Sequence, residues 1–301
     1  MKSLAPRFHL NDYCLVSVKG DGASKFLQGQ ITINVELIKP DQAALAAICN
    51  AKGRVISLFH VFRIDQDFFL LLPKSIAQLT IDYLKIYSVF YKVIMAEDSE
   101  QITVTETANQ GTSKDSQPQA QKRLEENQSQ VDLISIQHTS FCLVLGLQQT
   151  SINKTNQEDD KQFLWYWQLA DNKICWLSAE SSGQFLPHNL NLPSLKAVDF
   201  NKGCFTGQEI IARMQYKGKL KQQLALLQTQ SNPSAENNRQ TIELSQSKTL
   251  FQQGKKVGEV VCHAHHPQQG DRFISLLKKP LNSLENFMLD AENPPILNLK
   301  E

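Results

Sequence analysis

Apolar residues in the first hundred positions follow two spacings, and each spacing predicts a different kind of element. Alternating or continuous apolar segments predict strands at Tyr13–Val18, Val55–Ile64, Phe68–Leu72 and Lys92–Met95. Helical spacing predicts a helix through Ile76, Leu79, Tyr83, Leu84 and Tyr87. A shorter helix is expected around Phe26 and Leu27, with Asp21 as its N-cap. Strands interleaved with helices indicate an α+β domain with a largely antiparallel sheet.

Polar segments interrupt the middle of the chain. Asn109–Gln130 contains six glutamines and has Ala120 and Leu124 as its apolar side chains, so we expect a mobile loop or linker there. Strands are predicted again at Val131–Ile136 and Phe141–Leu145. The three tryptophans then cluster at Trp165, Trp167 and Trp176. If the first two lie on a strand, they point to opposite faces and only one of them needs to be buried.

Short apolar segments separated by turns fill the last third of the chain. Strands are predicted at Leu224–Leu227 and Arg272–Leu277, and a hairpin at Thr249–Val261 that turns at residues 253–255. This pattern indicates a small β-barrel or sandwich.

Length and composition describe a globular protein of more than one domain. The 301 residues indicate two or three domains, which we place at 1–100, 101–200 and 201–301. The net charge of +1 makes no global electrostatic case for nucleic acid or an anionic membrane. No apolar run reaches the roughly 18 residues that a membrane span needs, and the N-terminus lacks the pattern of a signal peptide. The six scattered cysteines, without a C-x-x-C pair, are typical of reduced thiols. We therefore expect a cytoplasmic monomer.

The densest candidate chemistry lies at Lys202–Arg213, which reads K-G-C-F-T-G-Q-E-I-I-A-R. The glycines Gly203 and Gly207 allow positive φ, so Cys204 is expected on a tight, exposed turn. The alternative is an ordinary glycine-flanked turn with a small buried thiol, and spacing alone leaves both interpretations open.

A short helix is expected after this turn, with Gln208 and Glu209 in its first turn. A basic run follows at Arg213, Lys217, Lys219 and Lys221. Such a run is typical of a solvated face, and direct contact with RNA is left open.

The segment Cys262–His266 resembles a metal cluster in composition, because it contains a cysteine and three histidines. Tetrahedral zinc sites use spaced pairs of ligands on two elements, whereas these residues are contiguous. We therefore predict a polar turn after a strand and no metal site. The sequence also lacks a G-x-G-x-x-G string, a Walker loop and an H-E-x-x-H string. Their absence argues against the interpretations as a nucleotide-binding enzyme or a zinc protease.

The segment from Lys202 to Glu209 resembles the K-G-C-[YF]-x-G-Q-E signature of the YgfZ family, which is related to the aminomethyltransferase of the glycine cleavage system. Three further segments resemble family motifs in the same order: 20–30, with F-L-Q-G-Q at its end, the K-G-R turn at 52–54 and the S-G-Q-F-L-P loop at 182–187.

The resemblance implies an aminomethyltransferase-like ring of two α+β domains and a C-terminal β-barrel around a folate channel. It implies tetrahydrofolate as the ligand, held between aromatic side chains at Tyr13 and Trp165, where tyrosine replaces a tryptophan of the family. It also implies a role in supporting iron–sulfur enzymes, such as those that methylthiolate tRNA. Cys204 would act as the functional thiol, with Lys202 and Arg213 as cations that favour its thiolate.

One departure argues against a classical aminomethyltransferase. Those enzymes carry a carboxylate on the strand after the glycine turn, whereas here that strand begins Val55-Ile56-Ser57-Leu58-Phe59. A serine cannot replace a titrating acid. Two alternatives stay open: a one-carbon transferase with its acid elsewhere, such as Glu209, and a non-catalytic interaction scaffold.

Overall fold

The computed structural model describes residues 7–40, 42–98, 101–107, 132–137, 142–148, 161–229, 248–279, 286–290 and 296–300. The chain divides into two compact units. The first comprises Met1–Gln162, Trp176–Pro187 and Leu192–Ala212, and the second comprises Phe163–Cys175, His188–Asn191 and Arg213–Glu301. The polar loop expected at Asn109–Gln130 lies outside the described residues. The domain limits at residues 100 and 200 stay predictions.

The first unit is built on one sheet, which has nine strands in the described ranges. In chain order they are β1 Arg7–His9, β2 Tyr13–Lys19, β3 Gln42–Cys49, β4 Val55–Ile64, β5 Asp67–Pro73, β6 Ile94–Asp98, β7 Gln101–Thr107, β8 Asp132–Gln137 and β9 Cys142–Gln148. Their spatial order is β1-β7-β9-β8-β3-β4-β5-β2-β6. The neighbours pair antiparallel, except for the parallel pair β3 and β8. The predicted mixture of helices with a largely antiparallel sheet is confirmed.

Two helices pack on this sheet, α1 at Ala23–Gln30 and α2 at Lys74–Ser88. Both follow from the helical spacing of their apolar residues, which supplies one buried face to each. The prediction of Asp21 as N-cap of α1 is wrong, because the cap is Gly22 and makes no side-chain cap bond. A Cβ at this position would collide with the carbonyl oxygen of Tyr91, so the neighbouring segment requires glycine.

A long irregular segment, residues 172–201, leads into the glycine–cysteine motif. The amide of Val55 donates to the carbonyl of Phe185 at 2.8 Å. Farther along, the hydroxyl of Thr32 donates to the carbonyl of Ala197 at 2.6 Å and accepts the amide of Ala47 at 2.9 Å. These bonds attach the segment to the first unit at Phe185 and Ala197, upstream of the motif.

The second unit contains a closed barrel, with six strands in the part of the chain that the structure describes. They are β10 Gln222–Thr229, β11 Thr249–Gln252, β12 Lys255–His266, β13 Gly270–Lys278, β14 Phe287–Leu289 and β15 Ile296–Leu299. Their order is β10-β13-β12-β11-β14-β15. Apolar side chains from all six strands fill the interior, among them Leu227, Phe273 and Phe287. The predicted barrel and the hairpin between β11 and β12 are confirmed.

The polar turn predicted at Cys262–His266 is wrong, because β12 continues through these residues. Successive side chains of a strand point to opposite faces, and Cys262, Ala264 and His266 lie on the buried face. On the other side, rings of His263 and His265 lie 2.8 and 2.9 Å from one carboxylate oxygen of Asp271 on β13. One carboxylate thus contacts both rings, so these polar residues have a partner within the barrel and do not require a turn.

The tryptophan segment is also not a strand, because Phe163–Asp171 forms a helix, α3. Trp165 and Trp167 are both buried, at 0% and 5% exposure, since the helix is apolar on most sides and packs on β12 and β13. The guanidinium of Arg272 stacks 3.6 Å from the Trp167 ring centroid and binds the Asp171 carboxylate at 2.7 Å. Among the helices of the described ranges, none has the length and apolar character needed to cross a membrane.

Candidate functional site

The motif residues form a loop followed by a helix, as the sequence predicts. The helix α4 runs over Gln208–Lys217, with Glu209 in its first turn. In the loop before it, Cys204 is exposed, whereas the other four cysteines whose side chains are described are buried. Burial raises the pKa of both Cys14 and Cys49 to about 12. Those two thiols are poor nucleophiles at neutral pH, which leaves Cys204 as the accessible candidate.

Lys202 lies two residues before the cysteine and is buried, at 6% exposure. Its ammonium donates to the carbonyl oxygens of Gln28, Ile31 and Ile33 at 2.8, 2.7 and 2.8 Å. Burial lowers the pKa of Lys202 to about 8, and nearby Asp199 opposes that shift. The amine therefore still carries its proton at pH 7, and its three N–H groups match the three carbonyls.

These contacts give Lys202 a structural role that the sequence did not predict. Its donors are directed at the backbone where α1 ends, so the side chain acts as a C-terminal cap for that helix. We therefore assign Lys202 to holding the loop in place, and its effect on the thiol stays a prediction. Arg213, the other cation expected to favour the thiolate, is an exposed residue of α4.

The loop is fastened to α1 on the other side of the cysteine as well. The amide of Thr206 donates to the carbonyl of Gly29 at 3.2 Å, and its hydroxyl lies 3.3 Å from the side-chain oxygen of Gln30. Phe205 is buried, and the ammonium of Lys202 lies 5.1 Å from its ring centroid. Cys204 is thus exposed on a loop whose two flanks are both anchored.

Gly207 and Gly203 have different structural roles, although the sequence suggested the same one. Gly207 has φ +83, and a Cβ there would lie 2.5 Å from the carbonyl oxygen of Asn50 and 3.0 Å from Gly53. Gly203 is not among the described residues with positive φ, and a Cβ there would meet no atom within 4 Å. The positive-φ argument is confirmed for Gly207 and wrong for Gly203.

The close approach at Gly207 joins two motifs that the sequence analysis treated separately. Gly53, in the K-G-R turn, also has positive φ, and a Cβ on it would lie 3.1 Å from Ile210 in α4. The next residue, Arg54, donates through its guanidinium to the carbonyl of Gln184 in the S-G-Q-F-L-P loop. Asn50 orders the turn, since its side-chain oxygen accepts the amides of Lys52 and Arg54, both at 3.0 Å.

The aromatic positions expected for folate lie in different units and are both buried. Tyr13, at the start of β2, is 4% exposed in the first unit, and Trp165 is 0% exposed in the second. Their assignment to folate stays a prediction. The strand position without a carboxylate is also buried: Ser57 is 0% exposed, and its hydroxyl oxygen lies 2.9 Å from that of Thr80.

Sequence reasoning missed two structural residues of the site, Asn50 and Thr32. A signal for Asn50 was present, because asparagine commonly accepts backbone amides in turns that contain glycine. Thr32 gave no signal, since its partners Ala47 and Ala197 are distant in sequence. Within the described ranges, no group of three or more histidine, cysteine and acidic side chains has an arrangement that could hold a metal ion.

Comparison with known proteins now identifies the family. A scan against models of protein families gives no match. The chain is 31% identical over 250 residues to the tRNA-modifying protein YgfZ of Vibrio atlanticus (strain LGP32), a match that covers 79% of this chain and 74% of that protein. This chain belongs to the YgfZ family. The motif-based resemblance is therefore confirmed.

A solved structure confirms the relationship of the fold to aminomethyltransferases. The chain is similar to the crystal structure of the glycine cleavage system aminomethyltransferase T from Bartonella henselae, with a TM-score of 0.64 and 16% sequence identity. The similarity covers 99% of this chain and 86% of that one. At this identity it establishes the fold alone, a mixed α/β architecture with a six-stranded barrel in the described residues.

The two motif glycines provide a matched pair of variants. We expect Gly207→Ala to lower the free energy of unfolding by about 2 kcal/mol or more, because it adds a side chain at positive φ against a backbone oxygen. Gly203→Ala should change it by no more than about 0.5 kcal/mol, since its Cβ enters open space. Urea unfolding measures both values, and equal destabilisation by the two would contradict the assignment.

Lys202 can be tested by removing its charge while keeping its length. We expect Lys202→Met to lower the free energy of unfolding by about 2–4 kcal/mol, because it strands buried carbonyls. Lys202→Arg should restore little, since a planar guanidinium does not reproduce three diverging donors. Lys25→Met, at an exposed position of α1, loses the same charge and serves as control. If Lys202→Met had the same free energy of unfolding as Lys25→Met, the capping role would be refuted.

Proposed function

We propose that this protein is a folate-binding accessory factor that supports tRNA modification by iron–sulfur enzymes and uses Cys204 as its functional thiol. The observation that carries the proposal is the exposed Cys204 in a loop that Lys202 and Gly207 hold in place. The family relative bears the name of a tRNA-modifying protein, which supports the tRNA part. The three-part ring, the folate channel and the cytoplasmic location are parts of this proposal that come from the resemblance.

A thiol with a structural role would be expected in a packed interior, as for Cys14 and Cys49. Cys204 instead lies on the surface, while the residues immediately around it are anchored to α1. An anchored loop holds an exposed side chain at a defined place without covering it. This arrangement suits a group that must be reached by another molecule.

An accessory role suits the site better than classical aminomethyl transfer. The catalytic carboxylate of that reaction has no counterpart on β4, where Ser57 is buried beside Thr80. Glu209 is exposed in the first turn of α4, and no described contact directs it to Cys204. Shared fold with an aminomethyltransferase does not transfer the reaction.

Folate is proposed as a ligand, and no chemical step is derived through it. Tyr13 and Trp165 have flat aromatic rings of the kind that stacks on a pterin or aminobenzoyl group. Both rings are enclosed by protein, so a ligand that stacks on either would replace some of its present contacts. The residues therefore have the right chemistry, and access to them is the point to test.

The thiol is tested in a strain that lacks this protein. We expect Cys204→Ser to fold with parent-like stability, because its side chain is exposed, and to leave tRNA methylthiolation at the level of the deletion strain. Mass spectrometry of tRNA nucleosides measures the modification. Cys49→Ala, which removes a buried thiol, is the control and should restore methylthiolation. Full restoration by Cys204→Ser would exclude the thiol.

Folate binding is tested by tryptophan fluorescence of the purified protein. We expect tetrahydrofolate to quench the emission saturably, and Trp165→Phe to remove most of the saturable change because Trp165 is the proposed contact. Trp176→Phe removes another of the three tryptophans and should leave the response in place. Absence of saturable quenching in the parent would remove folate from the proposal, and an unchanged response in Trp165→Phe would remove this contact.

A further inference from the structure

The net charge of +1 conceals an uneven distribution of charge in the second unit. Exposed lysines gather at one end of the barrel and on the segment that leads into it. We call them the lysine cluster, and they are Lys217, Lys219, Lys221, Lys255, Lys256, Lys278 and Lys279. The sequence analysis recognised only the first three as a basic run, because the others are more than thirty residues away in sequence.

The strand register brings these lysines together. β10 begins beside the end of β13, since Gln222 pairs with Lys278 and the amide of Lys279 donates to the carbonyl of Lys221 at 2.9 Å. β12 begins on the other side of β13, where the ammonium of Lys278 lies 3.3 Å from the carbonyl of Lys256. Adjacent strands lie about 4.8 Å apart, so the lysine-bearing ends of these three strands span roughly 10 Å.

The cluster has no compensating acids among the residues described. None of its seven lysines forms an ion pair there. Asp271 is the second residue of β13, at the far end of that strand, where the rings of His263 and His265 contact it. Asp290 lies beside Thr249, at the end of β11 away from the hairpin. Glu259, on β12, pairs with Leu276 and not with the lysine-bearing strand ends.

The second half of α4 adds an aromatic side chain to this basic surface. Tyr216 is 72% exposed and directly precedes Lys217, and Arg213 is exposed one turn earlier. The amide of Gly218 closes the helix on the carbonyl of Met214 at 3.0 Å, and the chain then passes through Lys219 into β10. Lysines interleaved with an exposed aromatic ring can contact phosphates and stack on an unpaired base.

We propose that the lysine cluster binds the phosphate backbone of a folded RNA, which, if the proposed function holds, is a tRNA. The seven ammonium groups form no ion pair in the described residues, and five of them lie at strand ends that span roughly 10 Å. This spacing suits a chain of phosphates, toward which lysine acts as a point charge. The cluster offers no described set of side chains for reading bases in a groove. It therefore holds the RNA by charge, and sequence selection belongs to other parts of the system.

The test compares two variants that lose the same charge. The cluster variant carries Lys256→Gln, Lys278→Gln and Lys279→Gln, and the control variant carries Lys25→Gln, Lys39→Gln and Lys74→Gln at exposed positions of the first unit. Affinity for a fluorescently labelled tRNA transcript is measured by anisotropy across a series of salt concentrations. Urea unfolding of the full-length variants verifies that both are folded.

We expect the cluster variant to bind tRNA at least about tenfold more weakly at low salt, with a log–log salt slope smaller by about two to three. The control variant should keep nearly the parent slope. Equal losses in the two variants would overturn the proposal. So would parent-like tRNA binding by the cluster variant together with lost binding to phosphatidylserine vesicles, which would assign the lysines to a lipid surface.

The proposed function and this inference can fail separately. Cys204→Ser should bind tRNA with parent affinity, because the thiol is not part of the lysine cluster. If Cys204 and folate prove dispensable while the cluster variant loses tRNA, the function fails and the RNA surface stands. If methylthiolation depends on Cys204 while the cluster variant binds tRNA like the control, the RNA surface fails alone.

Discussion

The buried ammonium group of Lys202 anchors the loop on which Cys204 is exposed. A helix ends with carbonyl oxygens that lack intrahelical partners, and α1 ends under the loop. Lys202 meets three carbonyls of that region with its three donors. Its position two residues before Cys204 means that the helix end and the thiol are set by the same contact. The K-G-C string thus combines a structural residue with an exposed one.

The glycines of separate motifs extend this arrangement into a small interlocked unit. Gly207 approaches the backbone of Asn50 and Gly53 more closely than any side chain would allow. Arg54 continues the contact to Gln184, which lies in a third motif. Residues that are 130 positions apart in sequence therefore support one loop. Motifs that look like several sites in the sequence are, within the first unit, parts of one structural support.

Periodicity predicted most strands and helices because their buried faces repeat locally, as in β4, α2 and the β11–β12 hairpin. It failed where composition was a poor guide to environment. α3 is apolar on most sides, so period alone could not separate helix from strand, and β12 carries histidines that one carboxylate on β13 satisfies. The contacts of Lys202 could not be predicted for a related reason: its partners are backbone carbonyls about 170 residues away, and no sequence pattern marks a carbonyl as available.

The fold resembles that of an aminomethyltransferase, but β4 carries no carboxylate. At the strand position where the resemblance leads us to expect a carboxylate, β4 carries Ser57, which is buried beside Thr80. Among the cysteines whose side chains are described, Cys204 is exposed, and it lies on an anchored loop outside the sheet. Thiol chemistry and proton transfer to folate need different geometry, because a thiolate must be reached by its partner, whereas an acid acts on a ligand already enclosed. The proposed chemistry therefore depends on an exposed thiol and not on an acid of the sheet, although the fold is similar to that of an aminomethyltransferase.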